Sequence, residues 1–150
     1  MSQAEKYSWA SLVTTGLIFW FFQMRMLDGW QVAEQTPGRL LVVYSTVVIV
    51  FIIAESVIAG FVAARGGKHD IEKDERDIAI EAKANRNASY FTMAALNIVV
   101  IQMLAGQVYT ESRLSFFDLT STASIFFVLF AVLISAHLVN LISTLIAYRA

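Results

Sequence analysis

Four long apolar runs dominate this sequence, separated by shorter polar or charged connections. They lie at 8–27, 40–64, 87–109 and 119–147, and Glu55 is the only carboxylate inside them. A helix needs about 20 mainly apolar residues to cross roughly 30 Å of hydrocarbon, so each run is long enough to span a membrane. Lipid offers no partner for free backbone N–H and C=O groups, and this requires every span to be helical.

The overall composition agrees with a membrane location. Hydrophobic residues make up 57% of the 150 residues and charged residues 15%, with a mean hydropathy of +0.62. A soluble domain has about 45–50% apolar and about 25% charged residues, and a chain this short has too little interior to bury the excess. The sequence therefore predicts an all-α integral membrane protein in which residues 1–150 form one membrane domain and the lipid bilayer is the first partner.

The positions of the basic residues predict the direction of the spans. Eight Lys and Arg residues lie on one side of the four runs and three lie on the other. The side richer in positive charge faces the cytoplasm, so we expect both termini and the charged connection 65–86 on the inner side of the cytoplasmic membrane. The outer connections, at about 28–38 and 111–118, are short, and short connections favour an antiparallel four-transmembrane-helix bundle.

The cytoplasmic connection 65–86 has the densest charge pattern in the chain. Glu72 and Arg76 lie four residues apart with opposite charge, a pairing that supports a helix. No helix breaker separates this segment from the run at 87–109. The sequence therefore predicts that the third transmembrane helix extends into the cytoplasm as one continuous helix.

A motif in this segment resembles a known family. It consists of Asp74-Glu75-Arg76-Asp77, Ile80, Ala82-Lys83-Ala84 and Arg86, followed by an apolar run. This order is similar to the signature of DUF2178-type proteins, which are small four-span prokaryotic membrane proteins with no assigned activity. Some of these proteins are thought to be encoded beside helix-turn-helix regulators, so the resemblance implies a regulatory partner at the cytoplasmic surface.

Three hypotheses explain the charged residues of this motif. The first is a solvated helix face that also obeys the positive-inside rule. The second is a docking patch for a cytoplasmic regulatory protein or a neighbouring subunit, with Asp74, Glu75, Arg76, Asp77, Lys83 and Arg86 as its partner-binding residues. The third is a cation site built from Asp70, Asp74, Asp77 and His69, although the spacing does not match an EF-hand loop. The mixture of acidic and basic residues argues against direct nucleic-acid binding.

Polar side chains within the spans form a second candidate site. Counting residues from the inner helix ends, at about 1.5 Å per residue, places four of them at similar depth, namely Glu55, Asn97, His137 and Asn140. Ionisable side chains inside a membrane are costly and are candidates for function. Glu55 is expected either to hold helices together through hydrogen bonds to His137 or Asn97, or to form a proton-linked pair with His137. A metal or haem site is disfavoured because only one histidine lies within a span, so we expect neither a metal nor a cofactor.

Small residues on the second span predict close helix packing. Ser56, Gly60 and Ala64 recur at every fourth position, a spacing that lets helices approach closely within a chain or between subunits. A bundle of this size has few residues to enclose a pore, so transport would require an oligomer. We therefore expect a homo-oligomer or a subunit of a membrane complex.

Two functions are compatible with these features. The sequence has no nucleophile paired with a base and no phosphate-binding loop, which argues against an enzyme. The favoured hypothesis is a non-enzymatic membrane protein that acts as a regulatory or interaction subunit through its cytoplasmic charged helix. The alternative is a small proton-linked transporter or channel subunit that uses the intramembrane Glu, His and Asn residues.

Overall fold

The protein is almost entirely helical. The computed structural model describes residues 3–65, 75–108 and 119–149. Its helices are α1 (Gln3–Met26), α2 (Pro37–Arg65), α3 (Glu75–Val108) and α4 (Thr122–Arg149). The predicted all-α fold is therefore confirmed for this part of the chain.

Two of the helices begin at residues that are suited to a helix start. α2 begins at Pro37, whose fixed φ angle suits the first helical position and whose missing N–H needs no partner there. α4 begins after Ser121, whose hydroxyl accepts a hydrogen bond from the backbone N–H of Ser124 at 3.1 Å. This bond is the capping interaction expected of a serine that precedes a helix.

Three of the described helices are long and apolar enough to cross a membrane. These segments are Pro37–Ala64, Glu75–Ala105 and Thr122–Arg149, and they are compatible with the predicted multi-pass membrane protein. α1 has 24 residues but is not among them. The predicted four-span topology therefore stays a prediction. It depends on whether α1 also crosses the membrane.

The helices pack side by side in the order α2, α1, α4, α3, so that neighbours in this order are in contact. α4 packs along α3 on one side and against α1 on the other, while α1 also packs against α2. α2 and α4 meet at only a few positions. The unbroken α3 has 34 residues, which corresponds to about 51 Å, and its main packing partner is α4.

An aromatic core fills the part of the bundle near the C-terminal end of α1. Phe22 is fully buried there together with Ile18 and Met26. Its ring stacks on Phe127 with the ring centres 5.5 Å apart, and it meets Phe130 edge-on at 5.0 Å. Aromatic pairs in these orientations attract each other by more than their buried area alone would give. This region is therefore a tightly packed apolar layer.

A short hairpin, which was not expected from the sequence, joins α1 to α2. β1 (Leu27–Asp28) pairs with β2 (Gln31–Val32) in antiparallel register. Gly29 has a φ angle of +64°, and a glycine at this first loop position is typical of two-residue type II′ hairpins. Strands of two residues are too short to show an alternating pattern, and this is why the sequence indicated only a connection.

Replacing Gly29 with alanine is expected to destabilise the protein by about 1–2 kcal/mol, because left-handed backbone is costly for residues with a Cβ atom. A methyl group at this position would meet no atom within 4 Å, so the backbone alone causes the effect. Gly38→Ala is the matched control, since Gly38 lies within α2 and also has open space around it. Thermal unfolding followed by circular dichroism in detergent tests this prediction, and equal melting temperatures for the two variants would contradict it.

Candidate functional site

One face of α1 changes from polar to apolar along the helix. Ser8, Ser11 and Thr15 are 5%, 0% and 0% exposed. They are followed at helical spacing by the buried Ile18 and Phe22. The polar part of this face therefore supplies hydroxyl groups to the interior of the bundle near the N-terminal end of α1.

Glu55 of α2 is held by two residues of α1. Tyr7 Oη donates a hydrogen bond to Glu55 Oε2, and Ser11 Oγ donates one to Glu55 Oε1, both at 2.5 Å. Hydrogen bonds to a carboxylate are stronger than those between neutral groups. Both carboxylate oxygens have a partner, so the three residues, here called the Glu55 network, join α1 to α2.

These partners differ from those expected from the sequence, which were His137 and Asn97. α2 packs against α1 and meets α4 at only a few positions, so the nearest donors belong to α1. The sequence carried a signal for them, because Tyr7, Ser11 and Thr15 recur at every fourth position along α1. That spacing places three hydroxyl groups on one helix face.

His137 of α4 lies beside the Glu55 network. The imidazole ring meets Phe51, which lies one turn before Glu55 on α2, edge-on with the centres 5.3 Å apart, and His137 lines a cavity together with Tyr7 of the network. His137 Nε2 is buried and has no hydrogen-bond partner among the described residues. The structure therefore places Glu55 and His137 in one region without a hydrogen bond between them.

The two asparagines of the predicted intramembrane set have other partners. Asn97 is exposed and its amide donates to the carbonyl oxygen of Met93 at 2.7 Å, within α3. Asn140 donates to Asn85 Oδ1 at 2.6 Å and also lines a cavity with His137. Asn97 thus lies apart from the other three residues, because similar depth along a helix does not determine the direction of a side chain around it.

Three side-chain hydrogen bonds join the N-terminal part of α3 to the C-terminal part of α4. They are Tyr148 Oη to Asp77 Oδ1 at 2.7 Å, Asn140 Nδ2 to Asn85 Oδ1 at 2.6 Å and Asn87 Nδ2 to Ser143 Oγ at 3.2 Å. We call this set the α3–α4 hydrogen-bond cluster. It spans about three turns of α3 and orients that segment relative to α4.

The predicted partner-binding residues lie on different faces of α3. Asp77 is partly buried and faces α4 through its bond to Tyr148. The exposed members are Glu75, Arg76, Lys83 and Arg86. Asp74 lies outside the described residues, as do Asp70 and His69 of the predicted cation site. Within the described ranges, no group of three His, Asp or Glu residues could hold a metal ion.

A cavity of about 380 Å³ lies between the four helices, close to both the Glu55 network and the α3–α4 hydrogen-bond cluster. Asp77 and Glu81 line it from α3, Tyr7 lines it from α1, and His137 and Tyr148 line it from α4. The cavity thus connects the Glu55 network, through Tyr7, with the α3–α4 hydrogen-bond cluster, through Asp77.

A smaller cavity of about 250 Å³ lies deeper in the bundle and shares His137 with the first. Its walls are mainly apolar, with Phe51 and Phe130 among them. Thr15 also lines it, and the Thr15 hydroxyl has no partner in the part of the chain that the structure describes. The polar side chains on the inward face of α1 end at this level, and the aromatic core follows.

The small residues of α2 face away from the other described helices. Ser56, Gly60 and Ala64 are all exposed, and a Cβ atom at Gly60 would meet nothing within 4 Å. The Ser56 hydroxyl donates to the carbonyl of Ile52 at 2.7 Å. The predicted close packing at these residues, within the chain or between subunits, stays a prediction.

Comparison with known proteins adds no family assignment. No protein-family model, curated protein or solved structure matches this chain. The resemblance of the motif at 74–86 to DUF2178-type proteins stays a prediction from the sequence.

Proposed function

We propose that this protein is a non-enzymatic regulatory or interaction subunit of the cytoplasmic membrane, and that the N-terminal part of α3 binds its partner. The observation that carries the proposal is the α3–α4 hydrogen-bond cluster. It holds this segment against α4 on one face, while charged side chains are exposed on another. A rigid helix with an exposed charged face can bind a partner without a large ordering cost.

The proposal includes four spans with both termini in the cytoplasm. α1 turns its polar residues toward α2 and α4, which leaves an apolar outer surface. The large side chains on that surface are Val13, Leu17, Trp20 and Met24, which are 59–65% exposed. Their spacing of three and four residues forms one stripe along the helix, as expected of a helix that faces lipid. The excess of Lys and Arg on one side supports the orientation.

The partner we propose is a cytoplasmic protein with an acidic surface. Arg76, Lys83 and Arg86 are spaced seven and three residues apart, so they share one exposed face of α3. Complementary charge would orient the two proteins and speed their association.

The apolar core at the C-terminal end of α1 favours a regulatory or interaction subunit over a transporter made of a single chain. Ile18, Phe22 and Met26 continue the inward face of α1 beyond Thr15, and all three are buried. Polar side chains on α1 therefore lead from its N-terminal end only part of the way through the bundle. The exposed small residues of α2 support assembly with further copies or with a membrane complex, since close packing uses such residues.

Reversing the basic face of α3 tests the proposal. The triple variant R76E/K83E/R86E is expected to lose stoichiometric capture of an acidic cytoplasmic protein at least tenfold. Capture by the parent protein should weaken with rising salt, because exposed charges are screened. The measurement is a mild-detergent pull-down from native membranes followed by mass spectrometry and native mass.

The matched control reverses an exposed basic residue on another helix. Lys6→Glu changes a cytoplasmic charge near the start of α1 and is expected to leave capture intact. Asp77 is avoided because its reversal would break the bond to Tyr148. Equal capture by the triple variant and the parent protein would contradict the proposal and favour a solvated helix face.

A second candidate function is proton-linked transport by an oligomer. The specific observation in its favour is that Tyr7 of the Glu55 network and His137 line the same cavity, since a carboxylate and an imidazole within a membrane are typical of proton relays. If it holds, Glu55→Gln should abolish pH-dependent flux in liposomes. An absence of flux for the parent protein at every imposed gradient would exclude it.

A further inference from the structure

The larger cavity combines negative charge with aromatic rings. Asp77 and Glu81 contribute two carboxylates from α3, and Tyr7 and Tyr148 contribute two rings from the facing helices. No Lys or Arg is among the described residues that line it. Tyr148 donates to Asp77 Oδ1 at 2.7 Å, which fixes one carboxylate at the cavity wall. A positively charged ligand would therefore meet attraction from both kinds of group, because carboxylates and aromatic faces both bind cations.

Most of the surface that lines the cavity is apolar, although Ser8, His137, Asn140 and Thr144 also contribute to it. Val62, Ile80 and Leu141 line the cavity from three different helices, and Ile80 and Leu141 are buried at 8% and 4% exposure. A hard metal ion requires six to eight oxygen ligands, and apolar side chains supply none. The volume of about 380 Å³ falls within the range of roughly 300–1,000 Å³ that small-molecule sites occupy. The walls thus favour a cation that carries an apolar body.

We propose that this cavity binds an organic ammonium ion. Its charged group lies against Asp77 and Glu81, and its apolar part lies against Ile80 and Leu141. The site belongs to the same segment of α3 as the proposed partner-binding face but on its inner side. The proposal does not depend on that partner, because it rests only on the cavity and its lining residues.

Calorimetric titration of the protein in an uncharged maltoside detergent tests the proposal. The probe is benzyltrimethylammonium, and the matched anion is phenylmethanesulfonate, which has a similar size and the opposite charge. The parent protein is expected to bind the cation saturably with one site per chain and to show no saturable binding of the anion. Empty micelles provide the blank for partitioning of either probe into detergent.

Three variants locate the site within the protein. Asp77→Asn and Glu81→Gln are each expected to weaken binding about tenfold, which corresponds to about 1.4 kcal/mol. Both retain the shape of the side chain, and the Asn carbonyl can still accept the bond from Tyr148. Glu75→Gln removes an exposed carboxylate on the same helix that does not line the cavity, and it is expected to bind as the parent does.

The natural ammonium group could belong to a lipid headgroup or to a free amine. Adding phosphatidylethanolamine to the micelles distinguishes these sources, since competition with the probe would assign the lipid and unchanged affinity would assign a free amine. If micelles that contain the protein bound no more benzyltrimethylammonium than empty micelles do, the proposal would be overturned. If Glu75→Gln and Glu81→Gln weakened binding of the cation equally, the proposal would also be overturned. The Glu81→Gln variant is expected to fold, because Glu81 is exposed.

Discussion

Replacing Phe22 with alanine is expected to destabilise the bundle by about 2–3 kcal/mol, which is less than the roughly 3–5 kcal/mol seen for buried Phe→Ala changes in soluble cores. Phe22 is fully buried and contacts three other phenylalanine rings. The variant would lose these contacts and leave a cavity. In the proposed four-span arrangement, lipid solvates the ring when the helices separate, so the water-transfer part of the usual cost is missing.

Unfolding of the variant by SDS in mixed micelles measures this effect. Phe21→Ala is the matched control, because Phe21 is the adjacent residue of α1 and is 41% exposed. The guanidinium group of Arg25 lies over its ring, 5.3 Å from the centre, and a cation–π contact at an exposed site is worth about 0.5–1 kcal/mol. If both variants unfolded at the same SDS fraction, the aromatic core would not be the stabilising layer described above.

Replacing Glu55 with leucine is expected to cost about 2–4 kcal/mol, because the Tyr7 and Ser11 hydroxyl groups would each lose a partly buried acceptor. Both now donate to the carboxylate at 2.5 Å. Leucine has a similar volume but accepts no hydrogen bond. The same SDS titration measures the loss, and Glu55→Gln, which keeps one carbonyl acceptor, should lie between leucine and the parent.

The triple variant E55L/Y7F/S11A separates the lost hydrogen bonds from other effects of the leucine. Replacing both partners of a buried hydrogen bond by apolar groups is often nearly neutral, whereas replacing one partner leaves the other unsatisfied. The triple variant is therefore expected to recover most of the stability that the single variant loses. A triple variant as unstable as Glu55→Leu would show that the Glu55 network is not the cause.

The sequence by itself determined the helical class and the number and approximate limits of the helices. Long apolar runs without proline, with few charges, leave the helix as the structure that satisfies the backbone in lipid. The continuity of α3 from Glu75 was predictable for a related reason, because no breaker interrupts it. These features depend on the order of residues along the chain.

Only the tertiary structure decided which polar residues meet. Counting residues places Glu55, Asn97 and His137 at similar depth, yet Glu55 bonds to Tyr7 and Ser11, while Asn97 faces outward. Depth follows from counting residues, but the direction of a side chain depends on the rotation of its helix and on which helices are neighbours. Those two properties arise from packing among all four helices, and no single segment of the sequence contains them.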